Sequence, residues 1–316
     1  MVRRPALLLA ALAVVAAPDS RADEKDLSGW ALRTIARMPW GSGPSHLGRA
    51  LPSEANPECP MSFAVDENGR AFVLDQVNAR VQIIENGAAI GAVPAPGKYF
   101  QDLALLPGGR LAVLDRLVRG EVLLIDRAGK RLGSLPIVGP GVPLAAGVSA
   151  LFFAEGLWVE YDNARGVQLS DAALAAVERR PARSGRFARV ESPSFAARRD
   201  GRRAVVVGRE LPEGGGWMRS IAFSRDVLRI LALEPDDEGR VFLVADVVEA
   251  APDGRLVSTS AEVVALDAEG RELRRFQLPP LVGPEEQMRP IRLGADGALY
   301  QLRCEAEAAV LRRLGP

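Results

Sequence analysis

The sequence predicts an all-β fold of six small antiparallel sheets set radially as blades, the last blade completed and the ring latched by an N-terminal strand. Three observations carry this. Apolar and polar residues alternate through residues 63–87 (FAVDENGRAFVLDQVNARVQIIENG), with breaks at Asp66-Glu67-Asn68-Gly69 and Gln76-Val77-Asn78-Ala79. A period of two with such breaks marks short strands joined by tight turns. The plan recurs: the first-hairpin glycines Gly69, Gly109, Gly156, Gly201, Gly239 and Gly297 lie 40, 47, 45, 38 and 58 residues apart. The last unit lacks an outer strand, and a spare strand stands at the other end of the chain, at 30–38. A sheet this small buries too little alone; stacking sheets face to face about an axis hides both faces of each.

In chain order, residues 1–22 carry Arg3 and Arg4, an apolar run over 6–17 and a small-x-small pattern at Ser20-Arg21-Ala22. That is the layout of a cleaved secretory signal peptide, too short to span a bilayer. The mature chain, 23–316, is then one exported domain, periplasmic or extracellular, with no transmembrane segment. After strand 30–38 comes a turn-rich stretch at 39–60, rich in Gly and Pro. Unit one takes strands at 61–66, 70–75, 80–85 and 88–93, and unit two at 101–106, 111–115, 121–126 and 131–135. Unit three takes 149–154, 157–161 and 165–169, followed by an atypical tail at 171–189: one or two helical turns at 172–177, then a basic run RRPARSGR at 179–186 that reads as a solvated loop. Unit four takes 194–198, 204–207 and 218–223. Unit five takes 228–233, 241–247, 256–266 and 272–278, with a hairpin turn at Asp253-Gly254, and the last unit takes 290–293, 299–303 and 309–314.

With 316 residues, 48% of them hydrophobic, the chain can bury a large core. Forty basic residues balance forty acidic ones, which leaves no net field to draw the protein to nucleic acid or an anionic membrane. Cys59 and Cys304 are the only cysteines, so they are either one bridge or two buried thiols, and too few for a structural zinc site. Cys59 precedes the first strand of blade one and Cys304 ends the second strand of blade six. Ring closure makes those blades neighbours, which makes room for a Cys59–Cys304 disulfide across the seam, worth about 5 kcal/mol by loop entropy.

Residues 65–84 (VDENGRAFVLDQVNARVQII) resemble the NHL repeat: strand, Asp/Asn-Gly turn, strand ending in Asp, Asn-x-Arg turn, strand. The resemblance covers the later units more thinly and implies a six-bladed β-propeller, a fold that hosts binding modules and enzymes alike. It also implies that Asp75, Asn78 and Arg80 hold a turn rather than a ligand. Propeller ligands meet the open end of the central channel, where the polar candidates are Glu58, Ser62, Gln101, Asp102, Glu191, Ser194, Gln287 and Arg289. Glu58-Cys59-Pro60 resembles the Glu-Gly-Pro of the gluconolactonase and senescence-marker propellers, with Cys for Gly. That resemblance implies a divalent cation, calcium, held by Glu58 with Asp102 as a second carboxylate.

His46 is the sole histidine, so no His-cluster metal site exists, and no Gly-x-Ser-x-Gly elbow, phosphate loop, dinucleotide fingerprint or EF-hand loop is present. No catalytic residue is assigned. The leading expectation is a monomeric, cofactor-free binding or scaffold module for a protein, peptide or glycan. The alternative is a metal-dependent lactonase- or lyase-like enzyme at the channel mouth.

Overall fold

Strand β1 (Ala31–Pro39) pairs antiparallel with the last strand of the chain, from Ala31 opposite Gly315 to Pro39 opposite Ala308. The computed structural model describes residues 27–251, 253, 255–281 and 285–316; the signal-peptide reading and Gly254 of the Asp253-Gly254 turn lie outside them. Blade one is β2 (Ser62–Val65), β3 (Ala71–Asp75), β4 (Arg80–Glu85) and β5 (Ala88–Pro94). Blade two is β6 (Asp102–Leu106), β7 (Arg110–Asp115), β8 (Glu121–Ile125) and β9 (Arg131–Pro136), and blade three is β10 (Val148–Phe153), β11 (Leu157–Tyr161), β12 (Arg165–Gln168) and β13 (Ala182–Ser184). Blade four has β14 (Ser194–Arg199), β15 (Ala204–Glu210) and β16 (Gly216–Ala222), and blade five has β17 (Asp226–Pro235), β18 (Val241–Ala250), β19 (Leu256–Leu266) and β20 (Glu272–Leu278). Blade six is β21 (Ile291–Leu293), β22 (Leu299–Cys304) and β23 (Ala308–Gly315), with β1 as its fourth strand. The fold is a six-bladed β-propeller whose N-terminal strand completes the last blade.

Turn chemistry sets the hairpins. Asp66 Oδ1 accepts from the amides of Asn68 and Arg70, both at 2.9 Å, and Asp236 repeats this with Glu238 (2.9 Å) and Arg240 (2.8 Å). Gly69 closes the first of these turns at φ +76°, a conformation costly for a residue with a Cβ. These hairpins lie on one end of the ring, the far face. The inner strands begin at the other end, the mouth face.

The blades bury both faces, so their middle strands are apolar almost continuously: Val241 to Val247 is buried throughout. Five apolar clusters fill the spaces between successive blades, the seam between blades six and one included. The sixth, between blades three and four, is small and aromatic: Phe187 meets Trp158 edge-on at 4.9 Å and Phe152 at 5.3 Å.

Blade four departs from the expected pattern. β14 is its second strand, not its innermost, and the inner position is reduced to a bridge between Arg186 and Phe195. Contacts with blade five fix the direction. Arg189 meets Asp237, and Trp217 Nε1 donates to Ala268 O (2.8 Å), which places 187–193 and the start of β16 beside far-face turns. Arg203 meets Asp226 at 3.0 Å, which places the Gly201 turn on the mouth face. Gly201 therefore belongs to a second-to-third-strand turn.

The atypical tail of blade three also differs. Residues 172–177 form a turn with a Ser170–Ala176 bridge instead of helical turns. The basic run supplies strand β13, and its arginines are not simply solvated: Arg183 lies 4.3 Å over the Phe187 ring and Arg186 is buried.

Candidate functional site

The seam between blades six and one builds the centre of the molecule. Residues 57–62 and 286–289 run alongside each other: the Glu286 amide donates to Pro57 O (3.1 Å), and the amides of Met288 and Arg289 donate to Met61 O (2.9 and 3.0 Å). A Cys59–Cys304 disulfide, Cα to Cα 6.5 Å, ties this pair of segments to the end of β22. Asp75 pins the loop before them. It accepts from the Gly48 amide (2.9 Å), Asn78 Nδ2 (2.8 Å) and Arg80 Nε (2.9 Å), while Arg80 Nη2 donates to Gly43 O (3.0 Å) and His46 O (2.6 Å).

Below the mouth, side chains from all six blades converge. Asp102, fully buried, accepts from Ser62 Oγ, from the amides of Leu103 (2.9 Å) and Leu151 (2.8 Å), and from Arg292 Nη2 (3.0 and 3.1 Å). Arg292 also donates to Leu103 O and Leu151 O; blade three stands opposite blade six, so this side chain crosses the axis. Burial pulls its pKa down to about 10 against the pull of Asp102, which leaves it cationic at neutral pH. Glu234 accepts from Arg186 Nη1 (3.0 Å) and from Arg289 Nη2. Burial lowers the Arg289 pKa, but the carboxylates of Glu234, Asp102 and Glu160 outweigh it and the net shift is upward. Glu160 accepts from Ser149 Oγ at 3.0 Å. Three guanidiniums thus face three carboxylates, the arrangement a buried charge cluster needs.

Above this layer opens a cavity of about 720 Å³. Arg186, Glu160 and Arg289 line its inner end; Leu228 to Leu233 of β17, with Ala197 and Arg199 of β14, form one wall. It exists because blade four has no inner strand beyond Arg186. On the mouth face, the loops before β6, after β7 and before β10 carry four exposed apolar side chains, Tyr99, Leu117, Val118 and Leu144, each at least 60% exposed. Gln101 donates to Tyr99 O (2.6 Å) and accepts from the Arg116 amide (2.9 Å), and Arg116 Nη1 donates to Ala146 O (3.1 Å) and Val148 O (2.6 Å). The loops that carry the patch are therefore tied to one another and to the cavity wall.

Of the residues expected at the mouth, Arg289 and Gln287 line the cavity. Ser62 and Asp102 lie beneath it, and Gln101 is a tie between loops. Glu58 sits in a backbone pair with Ala50, outside the cavity lining. Glu191 is exposed in the far-face turn of blade four and Ser194 begins the strand after it, both displaced because the blade is offset by one strand. Glu160, Glu234 and Arg292 escaped the sequence reading, and Arg186 falls in the basic run expected to be a solvated loop. The signal of Glu160 and Arg292 is a charge inside an otherwise apolar strand, as in β11 (LWVEY).

A calcium site at Glu58 and Asp102 does not fit this geometry. Both oxygens of Asp102 already accept hydrogen bonds and face Arg292, and among the described residues no group of three or more His, Cys, Asp or Glu side chains could hold a metal ion.

No protein-family model matches the chain and no curated protein is similar to it, so the NHL character remains a likeness of residues 65–84. Solved structures are similar in shape. A DUF4221 family member from Bacteroides vulgatus is 9% identical over 90% of this chain and 98% of its own, with TM-score 0.49. Virginiamycin B lyase from Staphylococcus aureus is 10% identical over 91% and 99%, TM-score 0.41. A gluconolactonase from Xanthomonas campestris is 13% identical over 92% and 91%, TM-score 0.38. Likenesses this distant carry no activity across; the propeller rests on the strand pairing itself.

Proposed function

We propose that the protein is an exported binding module that engages a polypeptide partner through its mouth face. The observation that carries this is the set of exposed apolar side chains Tyr99, Leu117, Val118 and Leu144, on mouth-face loops tied to one another through Gln101 and Arg116, the latter in the lining of the arginine-rich cavity. Exposed apolar groups clustered at a polar rim mark contact surfaces, and aliphatic side chains suit a polypeptide better than a glycan. The metal-dependent enzyme reading loses its second carboxylate, because Asp102 is committed to Arg292. A disulfide accords with an oxidising compartment and so with export; among the described residues no helix is long and apolar enough to cross a membrane.

The test is selection of binders from a random-peptide display library on the mature protein, followed by interferometry on wild type and on a Leu117→Asp/Val118→Asp variant. Both sites are exposed, so the fold should tolerate the change within about 0.5 kcal/mol. Selected peptides should lose about tenfold or more in affinity, the cost of burying a charge in the contact. Equal binding to both proteins, or no enrichment at all, removes the reading. Enrichment on a glycan array instead moves the site to sugars.

A further inference from the structure

We infer that the cavity takes the C-terminal end of an extended peptide, which supplies the inner strand that blade four lacks and sets its terminal carboxylate on Arg289. This rests on the mouth face being a polypeptide-binding surface and adds what that surface reads.

Two independent features of the cavity lead there. The first is an open sheet edge. β14 is the terminal strand of its sheet, and Phe195 exchanges both its backbone bonds with Arg186 on the inner side (2.7 Å each). In an antiparallel ladder the backbone groups alternate direction, so those of Ala197 and Arg199 turn the same way as Phe195. Among the described residues they meet no strand there, and both residues line the cavity. An unpaired edge with space beside it is the template for strand addition, in which main-chain bonds give affinity and pockets select side chains.

The second feature is a guanidinium with one nitrogen left open. Arg289 is 5% exposed, its Nη2 is taken by Glu234, and its Nη1 is buried with no hydrogen-bond partner, 3.9 Å from Asp102. It lines the same cavity. Arg186 shares the single carboxylate of Glu234 with it. Arg199, also in the lining, donates to Leu228 O (2.9 Å) and pairs with no carboxylate among the described residues. A carboxylate would satisfy the open nitrogen, and Arg199 would meet its charge. At about 720 Å³ the space suits a few residues of extended chain.

The probe is a pool of random hexapeptides, fluorescein-labelled at the N-terminus and made twice, with free C-terminal carboxylates and with C-terminal amides. Anisotropy on the mature protein should show the carboxylate pool bound about tenfold more tightly than the amide pool, the worth of one charge-assisted hydrogen bond. Arg289→Lys keeps a cation for Glu234 but removes the open nitrogen; Ala197→Pro removes one inward amide at an edge position where proline is tolerated. Each should weaken carboxylate binding about tenfold, with the melting temperature showing that the fold is kept. Amide and carboxylate pools bound alike, or full binding by Ala197→Pro, overturns the inference. So does a rise in melting temperature with inorganic phosphate in a protein that binds no peptide, which would make the site a plain oxyanion pocket. Peptides that bind both variants normally but not Leu117→Asp/Val118→Asp would leave the mouth-face reading standing and sink this one alone.

Discussion

Asp102 shows what a single buried carboxylate does in this ring. It is fully buried, its bonds join blades one, two, three and six, and it is the nearest counter-charge to Arg292. Asp102→Asn removes the carboxylate paired with that buried guanidinium, so it should cost about 3–5 kcal/mol in urea unfolding; a loss under about 1 kcal/mol would mean the cluster is solvated. Tyr300 reports on the seam by pH. Its hydroxyl donates to Asp296 Oδ2 at 2.8 Å, and burial, followed by that carboxylate, pushes its pKa from about 10 up to about 12. A raised folded-state value means the folded protein holds the proton more tightly. The stabilisation is full below pH 10 and disappears as pH rises from about 10 to about 12. The unfolding free energy should fall across that window in wild type and fall less steeply in Tyr300→Phe, as measured by denaturant titration at each pH. Neither role was visible in the chain: Asp102 and Arg292 are 190 residues apart, and a carboxylate near a channel mouth looks the same from sequence whether it awaits a metal or already faces an arginine.

The elements follow the sequence where turn chemistry and apolar pattern agree. Blade one, the Asp-x-x-Gly hairpins and the closing strand β1 are legible because each strand is flanked by a turn that only one geometry satisfies. Blade four is not, since Asp200-Gly201 makes a tight turn equally well at either end of a blade and a one-bridge inner strand leaves no period to read. The misassigned strand moved Glu191 and Ser194 to the wrong face and hid the cavity. The closing strand can be tested directly. Ala36 and Met38 of β1 are 4% exposed in the seam core with Tyr300, Leu302 and Leu311. Met38→Asp forces a carboxylate into that cluster and should destabilise by about 3–4 kcal/mol. The chevron or melting curve of the variant checks it, and an unchanged melting temperature would mean β1 is dispensable.

At the scale of the whole molecule, closure is enforced twice: by the β1–β23 ladder of backbone bonds and by the Cys59–Cys304 bridge, which spans 245 residues of sequence. The two devices act on different states. The ladder is made only in the folded ring, whereas the bridge restricts the unfolded chain, and for a loop this long that restriction is worth about 5 kcal/mol. Cys59→Ser/Cys304→Ser should therefore keep the native fold, because the ladder and the seam core still close the ring, while losing several kcal/mol and, at about 2–4 °C per kcal/mol for a chain of this size or smaller, on the order of 10 °C in melting temperature. The urea m-value separates the explanations. An unbridged unfolded chain expands and exposes more surface, so m should rise in the variant. If stability falls with m unchanged, the bridge acts instead through the folded seam, where it holds residues 57–62 beside 286–289; Arg289 would then lose its alignment with Glu234, and peptide binding at the mouth would weaken along with stability.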